Sequence, residues 1–143
     1  MNGRERITAS LARALVAWYR LRLALPRPVG GLPLLRRRLL AWTDAGRSAG
    51  EGEARALAEL FRRALAEPPR AAPCVPRSLA LVRLLRLHGF PAGIRIGLRH
   101  GGAAVVGHAW VEHHGVAVGE DEAFVQGFRP LRVSGQTGLG GIA

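Results

Sequence analysis

One stretch of the sequence determines where a buried helix can begin. Residues 73–89 read PCVPRSLALVRLLRLHG, in which two prolines flank Cys74, the single cysteine of the chain. Pro76 has no backbone N–H and fits a helix only in its first turn. A helix over residues 74–87, capped at its C-terminus by Gly89, must therefore start at or next to Cys74. The sequence places its one thiol at the N-terminus of an apolar helix.

This position favours a chemical role for the thiol. Unpaired backbone N–H groups and the helix dipole at a helix start stabilise a thiolate, which makes the thiol a better nucleophile. The same N–H groups can receive an oxyanion that develops on a substrate carbonyl. The alternative is that Cys74 is a small buried hydrophobic residue, the common role of a lone cysteine. The sequence leaves both roles open.

Composition narrows the class of protein. The 143 residues are 48% hydrophobic, enough for one core and too few for two full-sized domains. One cysteine excludes an internal disulfide framework, and no Cys/His grouping has zinc-finger spacing. Arginines interrupt the apolar runs, so no segment approaches a membrane span, and Arg13 and Arg20 break any signal-peptide core. We expect a cytoplasmic protein with no metal or organic cofactor.

The charge is strongly basic. The formal net charge is +11, and all 21 basic residues are arginine, as GC-biased codon usage would give. The excess favours acidic partners. Nucleic-acid sites usually interleave aromatic with basic residues, whereas aromatic residues make up only 6% of this chain. We expect no nucleic-acid partner, and the densest basic cluster, residues 34–40, is predicted to be a solvated helix face.

Helical periodicity dominates the first half of the chain. A second helix is predicted over 32–42 and a third over about 53–66, with a linker-like stretch at 44–52 between them. The first helix is predicted over 5–25. Apolar residues at helical spacing give it an expected core-facing stripe of Ile7, Leu11, Ala14, Leu15, Trp18, Leu21 and Leu25.

The second half changes to short strands. Three runs bounded by glycine, AGIRIGLR, AAVVGHAWVEHH and VAVGE, follow the cysteine helix and predict a small antiparallel sheet. The fold class is therefore α+β. We expect residues 1–67 to form a helical region that packs on a core at 68–131, with a flexible tail at 132–143.

His108 is the best candidate for a base that serves the thiol. It lies in the middle of a predicted strand, between glycine and alanine, where a polar ring needs a partner to be buried. A hydrogen-bonded core histidine is the alternative. The other four histidines lie at a helix end, in a loop or in a hairpin turn that exposes its residues: His88, His100, His113 and His114.

The acidic group opposite His108 depends on the length of a hairpin loop. A three-residue loop at 113–115 pairs His108 with Glu120, whereas a two-residue loop at 114–115 brings Asp121 opposite it. We favour the first, because glycine at the third loop position is preferred after a type I turn. A carboxylate there would orient the imidazole and stabilise its charge. The alternative is a solvated acidic corner.

The order of these residues resembles the papain-like transglutaminase fold. The stretch CVPRSLALVRLLRLHGFPAGIRIGLRH, followed by GHAWVEHHGVAVGE, is similar to the leader-peptidase domain of lasso-peptide biosynthesis. That domain belongs to the microcin-processing family of transglutaminase-like cysteine proteases. The shared features over residues 70–131 are a cysteine followed three residues later by Arg-Ser, a leucine-rich helix, IRIGLR, HAWVE and a hairpin to an acidic residue.

The resemblance implies a catalytic triad and a substrate. Cys74 would be the nucleophile, His108 the general base and acid, and Glu120 the third member, where the family usually has aspartate. The substrate would be a ribosomally made precursor, cut between leader and core. Trp110 shares the face of His108 and either shields the site or is a plain core tryptophan. Because residues before 70 look helical, we expect a separate leader-binding partner, beside an ATP-dependent cyclase.

Other functions remain open at this level. The same fold and triad also serve acyl transfer to an amine or from a thioester. A non-catalytic peptide-binding or assembly subunit would use Cys74 structurally. An arginine-rich nucleic-acid binder would show steeply salt-dependent retention of DNA or RNA.

Overall fold

The structure, a computed structural model, describes residues 3–24, 50–66 and 73–131. The predicted second helix at 32–42 and the predicted tail at 132–143 lie outside the described residues. The helices that precede the sheet are α1 (Gly3–Ala24), α2 (Glu51–Ala64) and α3 (Cys74–Leu87). None of the helices in the described ranges is long and apolar enough to cross a membrane.

An antiparallel sheet follows α3. Its strands are β1 (Gly93–Gly101), β2 (Ala104–His113), β3 (Val116–Val118) and β4 (Arg129–Pro130), with a short helix α4 (Glu122–Gln126) before the last. The strand order is β3-β2-β1-β4. The predicted α+β class is confirmed. Helix α4 and strand β4 were not predicted, because segments of five and two residues are too short to show a period.

Helix α3 begins and ends as the sequence predicts. Cys74 is its first residue, so Pro76 lies within the first turn. At the other end, Gly89 has a φ of +84°. The N–H of Gly89 bonds to the carbonyl of Arg86 at 3.0 Å, and the N–H of Phe90 bonds to that of Leu85 at 3.0 Å. These two bonds form a Schellman motif, which satisfies carbonyls that the helix leaves unpaired.

The core lies between the helices and one face of the sheet. Helix α3 is its centre, with residues 78–82 and Leu84 and Leu85 all buried. Small residues of α1 and α2, including Ala12 and Ala58, approach it closely, and Val111 of β2 packs from the sheet side. Burial of this many leucine and valine side chains is the largest favourable term in folding.

The predicted core-facing stripe of α1 is wrong. The buried residues of α1 are Ala9, Ala12 and Val16. Ile7 is 71% exposed and Trp18 is 55% exposed. Of the predicted stripe, only Leu15 packs against the core; Leu11, Ala14 and Leu21 are also exposed, and Leu25 lies outside the described residues. The helix has two apolar sides, and the alanine side packs because small residues let α1 approach the bulky leucines of α3.

The predicted linker at 44–52 ends earlier than expected. Helix α2 starts at Glu51, so Glu51 and Gly52 are helical. Glu51 and Glu53 lie in its first turn, where carboxylates interact favourably with the N-terminal end of the helix dipole. The rest of that stretch, residues 44–49, is outside the described part of the chain.

The favoured register of the β2–β3 hairpin is wrong. His113 pairs with Val116, so the loop has two residues, His114 and Gly115. Their φ angles are +49° and +78°, the positive values that a type I′ turn requires at both positions. Histidine is among the residues that tolerate this conformation. Because β3 ends at Val118, the pairing stops short of His108, which has no partner on β3 in either register.

Gly119, directly after β3, should be intolerant of a side chain. Its φ is +75°, and a Cβ there would lie 2.8 Å from Cδ2 of Leu81 in α3. We expect Gly119→Ala to lower the free energy of unfolding by about 2–4 kcal/mol, because backbone strain and overpacking add. Urea denaturation measures this.

Gly115→Ala is the matched control for Gly119→Ala. Gly115 has nearly the same φ, +78°, and a Cβ added there would have no atom within 4 Å. It should cost about 1 kcal/mol from backbone strain alone. Equal losses of unfolding free energy in the two variants would show that the contact with Leu81 does not limit the side chain at position 119.

Candidate active site

His108 and Glu120 lie side by side in the structure. Nε2 of His108 is 3.6 Å from Oε1 of Glu120, and the two side chains keep only 16% and 18% of their surfaces exposed. This distance is beyond that of a hydrogen bond, so the contact is electrostatic. Nε2 is buried and has no hydrogen-bond partner among the described residues. Glu120 is therefore placed to accept from Nε2 when the ring carries a proton there.

A bend after β3, not strand pairing, brings Glu120 to His108. Gly119 turns the chain with a positive φ and packs against Leu81 and Ala58, which ties the bend to α3 and α2. Asp121, the alternative acidic residue, is used differently. Its Oδ1 accepts a hydrogen bond from the N–H of Ala123 at 2.9 Å and caps α4.

Aromatic rings surround His108 on its face of the sheet. Trp110 stacks nearly parallel to the imidazole at 6.3 Å between centroids, and Phe124 and Phe128 each approach to 5.2 Å. Trp110 also packs with Val125 and Phe128 in a second small apolar cluster. Trp110 therefore belongs to this apolar cluster and also borders the imidazole of His108. These rings limit the access of water to His108.

The thiol lies on the helix face that meets this region. Arg77 and Ser78 are three and four residues after Cys74, so all three share one side of α3. The hydroxyl of Ser78 donates to the carbonyl of Ala109, the neighbour of His108, at 3.0 Å. Nη2 of Arg77 lies 3.8 Å from Oε1 of Glu120. One turn beyond the thiol, α3 therefore contacts the backbone beside His108 and the side chain of Glu120.

No hydrogen bond joins the thiol to the imidazole within the described ranges. Cys74 itself is partly exposed. His108 and Trp110 lie on the sheet face opposite the one that carries Val111 and packs on α3. The two sides meet at the sheet edge where β3 has ended, and there Glu120 contacts both Arg77 and His108. Catalytic hydrogen bonds are often long before substrate binds.

The start of α3 has donors suited to an anion. Pro73 precedes the helix and offers no side-chain cap. The first backbone N–H groups of a helix have no intrahelical acceptor. At α3 these belong to Cys74 and Val75, since Pro76 has none. Together with the helix dipole, they favour negative charge next to the thiol.

The family follows from the sequence match to this same region. Residues 15–133 match the sequence profile of the Transglutaminase-like superfamily. The chain belongs to this superfamily. No curated protein and no solved structure matched it. The match spans α1 to β4 and agrees with the α+β architecture of a transglutaminase-like core. Membership supports a cysteine protease or acyltransferase type of activity.

Histidines elsewhere in the transglutaminase-like core have other environments. The expectation that His113 is exposed in a turn is wrong, since it ends β2 and is buried. Its Nδ1 contacts the carbonyl of Pro91, and its ring meets Phe90 edge to face. His88 is the exposed C-cap residue of α3, as its position in the sequence predicts, and His100 and His114 are exposed.

Three neighbours of the candidate triad are not among the residues that the sequence indicates. Phe124 and Phe128 come to His108 through tertiary folding, and no local pattern indicates it. Arg77 could have been found, because helical spacing puts it on the same side as Cys74.

The hydrogen bond from Ser78 to Ala109 should matter for stability. The side chain is buried, so Ser78→Ala leaves a carbonyl without its partner. We expect a loss of about 1–3 kcal/mol in the free energy of unfolding. Thr8→Ala is the control, because the Thr8 hydroxyl donates to the carbonyl of Arg4 in an exposed position. If chemical denaturation shows the same small loss for both, the bond does not hold α3 on β2.

Proposed function

We propose that this protein is a cysteine peptidase that removes the leader peptide from a ribosomally synthesised lasso-peptide precursor. Cys74, His108 and Glu120 form its triad. The observation that carries the proposal is the contact of His108 with Glu120 at the edge where the cysteine-bearing helix starts. The superfamily match supports the acyl-transfer chemistry. The residues of the resemblance, from the cysteine helix to the acidic residue after the hairpin, support the finer assignment.

The reaction begins with attack of the Cys74 thiolate on the scissile carbonyl carbon. A C–S bond forms, and the carbonyl oxygen takes the negative charge beside the first N–H groups of α3. His108, which holds the proton from the thiol, gives it to the leaving amine as the C–N bond breaks. Water then adds to the thioester carbon as His108 accepts one of its protons. The C–S bond breaks, the sulfur leaves as a thiolate paired with protonated His108, and the acid product loses its remaining proton to solvent and leaves as a carboxylate.

Glu120 supports the imidazole in this scheme. Because its carboxylate faces Nε2, it favours the ring orientation in which Nδ1 exchanges protons with the thiol and the leaving group. It also stabilises the imidazolium that forms after proton transfer. Glu120 reaches His108 from the bend at Gly119 and not from a paired strand.

A separate leader-binding protein is part of the proposal. The described residues before α3 are helical, in α1 and α2, whereas the leader-recognition domain of this family is rich in strands. We propose that such a partner presents the precursor and that an ATP-dependent cyclase acts alongside. The excess of arginine suits an acidic leader or partner.

An acyltransferase is the second candidate, because the superfamily match supports it equally. The two activities differ only in whether water or an amine resolves the thioester. Cleavage in the presence of a competing amine separates them. An amide product formed in place of the free acid would assign transfer.

The decisive assay is mass spectrometry of the precursor peptide encoded near this gene, incubated with the protein and its leader-binding partner. We expect wild type to release one defined leader fragment and Cys74→Ala to release none. Glu120→Gln should lower kcat by about 10²–10⁴-fold, the range for loss of an orienting carboxylate. Glu122→Gln, an exposed neighbour on α4, is the control and should cleave at the wild-type rate.

Two outcomes would contradict the peptidase. Intact precursor with wild type, although the partner complex forms and Cys74 alkylates slowly, would indicate a binding or assembly subunit. Retention on DNA or RNA that falls steeply with salt, without cleavage, would indicate a nucleic-acid binder.

A further inference from the structure

Arg77 joins the helix that carries the thiol to the carboxylate that faces the imidazole. We infer that Arg77 is a positioning residue that holds Glu120 against His108. This inference rests on the proposed function for its catalytic consequence, but the positioning itself can be observed without substrate.

The contacts of Arg77 are to two consecutive residues of the bend. Its Nη2 donates to the carbonyl of Gly119 at 3.4 Å and lies 3.8 Å from Oε1 of Glu120. The same carboxylate oxygen is 3.6 Å from Nε2 of His108. One oxygen is therefore shared between a guanidinium and an imidazole. The contact with Gly119 fixes the backbone of the bend while the contact with Glu120 restrains its side chain.

The base of this arrangement is rigid. Arg77 leaves α3 in its first turn, where the next residue, Ser78, is bonded to β2. The Arg77 side chain is 27% exposed, so water screens its pairing with Glu120 only in part. Because Cys74 and Arg77 belong to the same turn, any shift of the helix start moves the thiol and the support of Glu120 together.

The chemistry favours arginine at this position. A guanidinium remains charged at all working pH values, so it attracts the Glu120 carboxylate throughout the range in which the protein works. Without it, Glu120 has several rotamers, and the His108 contact and the coulombic attraction of Arg62 on α2 remain to select among them. The imidazole would then lose its fixed orientation, and Nδ1 would face the thiol for only part of the time.

A purely structural role is the competing explanation, since Arg77 also ties the bend to α3. The two roles differ in their dependence on Glu120. If Arg77 acts through the carboxylate, Arg77→Gln should lower kcat only slightly in a protein that already carries Glu120→Gln. If Arg77 only fastens the bend, Arg77→Gln should lower kcat by the same factor with Glu120 as with Gln at that position.

The test combines this double-mutant cycle with NMR of the histidine rings. Two-bond ¹H–¹⁵N spectra report which nitrogen of His108 carries the proton. The spectra are recorded in a Cys74→Ala background, where no thiol proton reaches the ring. We expect that parent to hold the proton on Nε2 and the added Arg77→Gln change to give a mixture of tautomers. We expect kcat to fall about 10- to 100-fold with KM within about twofold, because misplaced groups slow the chemical step. Arg77→Lys should restore most of kcat and most of the single His108 tautomer. Arg83→Gln changes an exposed arginine on the same helix and should behave as wild type.

The outcomes separate this inference from the proposed function. The positioning role would be overturned if Arg77→Gln left both the His108 spectrum and kcat unchanged. It would also be overturned if Arg77→Gln lowered kcat by the same factor with and without Glu120→Gln. If Arg77→Gln does not fold, Arg77→Met, which keeps the unbranched stem without the charge, takes its place, and an unchanged His108 spectrum with lowered thermal stability would count against positioning. A dependence of the His108 tautomer on Arg77, in a protein that cleaves no precursor, would support the positioning and reject the peptidase.

Discussion

The structure depends on how the first turn of α3 is placed. Pro76 allows the helix to start only near Cys74, and the hydrogen bond from Ser78 to Ala109 docks that start on the central strand. A buried hydrogen bond has a defined length and direction, so it places the helix more sharply than apolar packing alone. The positions of the thiol and of Arg77 follow from this docking. The other parts of the site are arranged relative to this first turn.

The acidic segment after β3 shows how two neighbouring carboxylates take different roles. Gly119 bends the chain where the strand stops, and Glu120 then faces His108 while Asp121 caps α4. The cap begins the short segment that carries Phe124 over the imidazole. A single change of direction thus supplies both the charged and the aromatic neighbours of His108. Strand pairing supplies neither.

Helix α1 and the β2–β3 hairpin both differ from what the sequence predicts, for physical reasons. The large apolar side of α1 was expected to be buried, yet Ala9, Ala12 and Val16 face the core because close helix packing favours small residues. The hairpin loop was expected to hold three residues, yet His114 adopts the positive φ that a two-residue loop needs. Glu120 was selected through the wrong register and still lies beside His108. Periodicity measures hydrophobicity along an element, but it does not show what packs against that element.

By itself, the sequence determined the local features: the start and end of α3, the strand that carries His108, and the α+β class. These depend on backbone chemistry and periodicity within a few residues, which proline, glycine and apolar spacing control directly. Only the tertiary structure decided which side of α1 is buried, that Glu120 rather than Asp121 faces His108, and that Arg77 shares the carboxylate. These relations join residues far apart in the chain. The packing of α1 on the core settles the first, and the packing of α2 and α3 against the bend after β3 settles the other two.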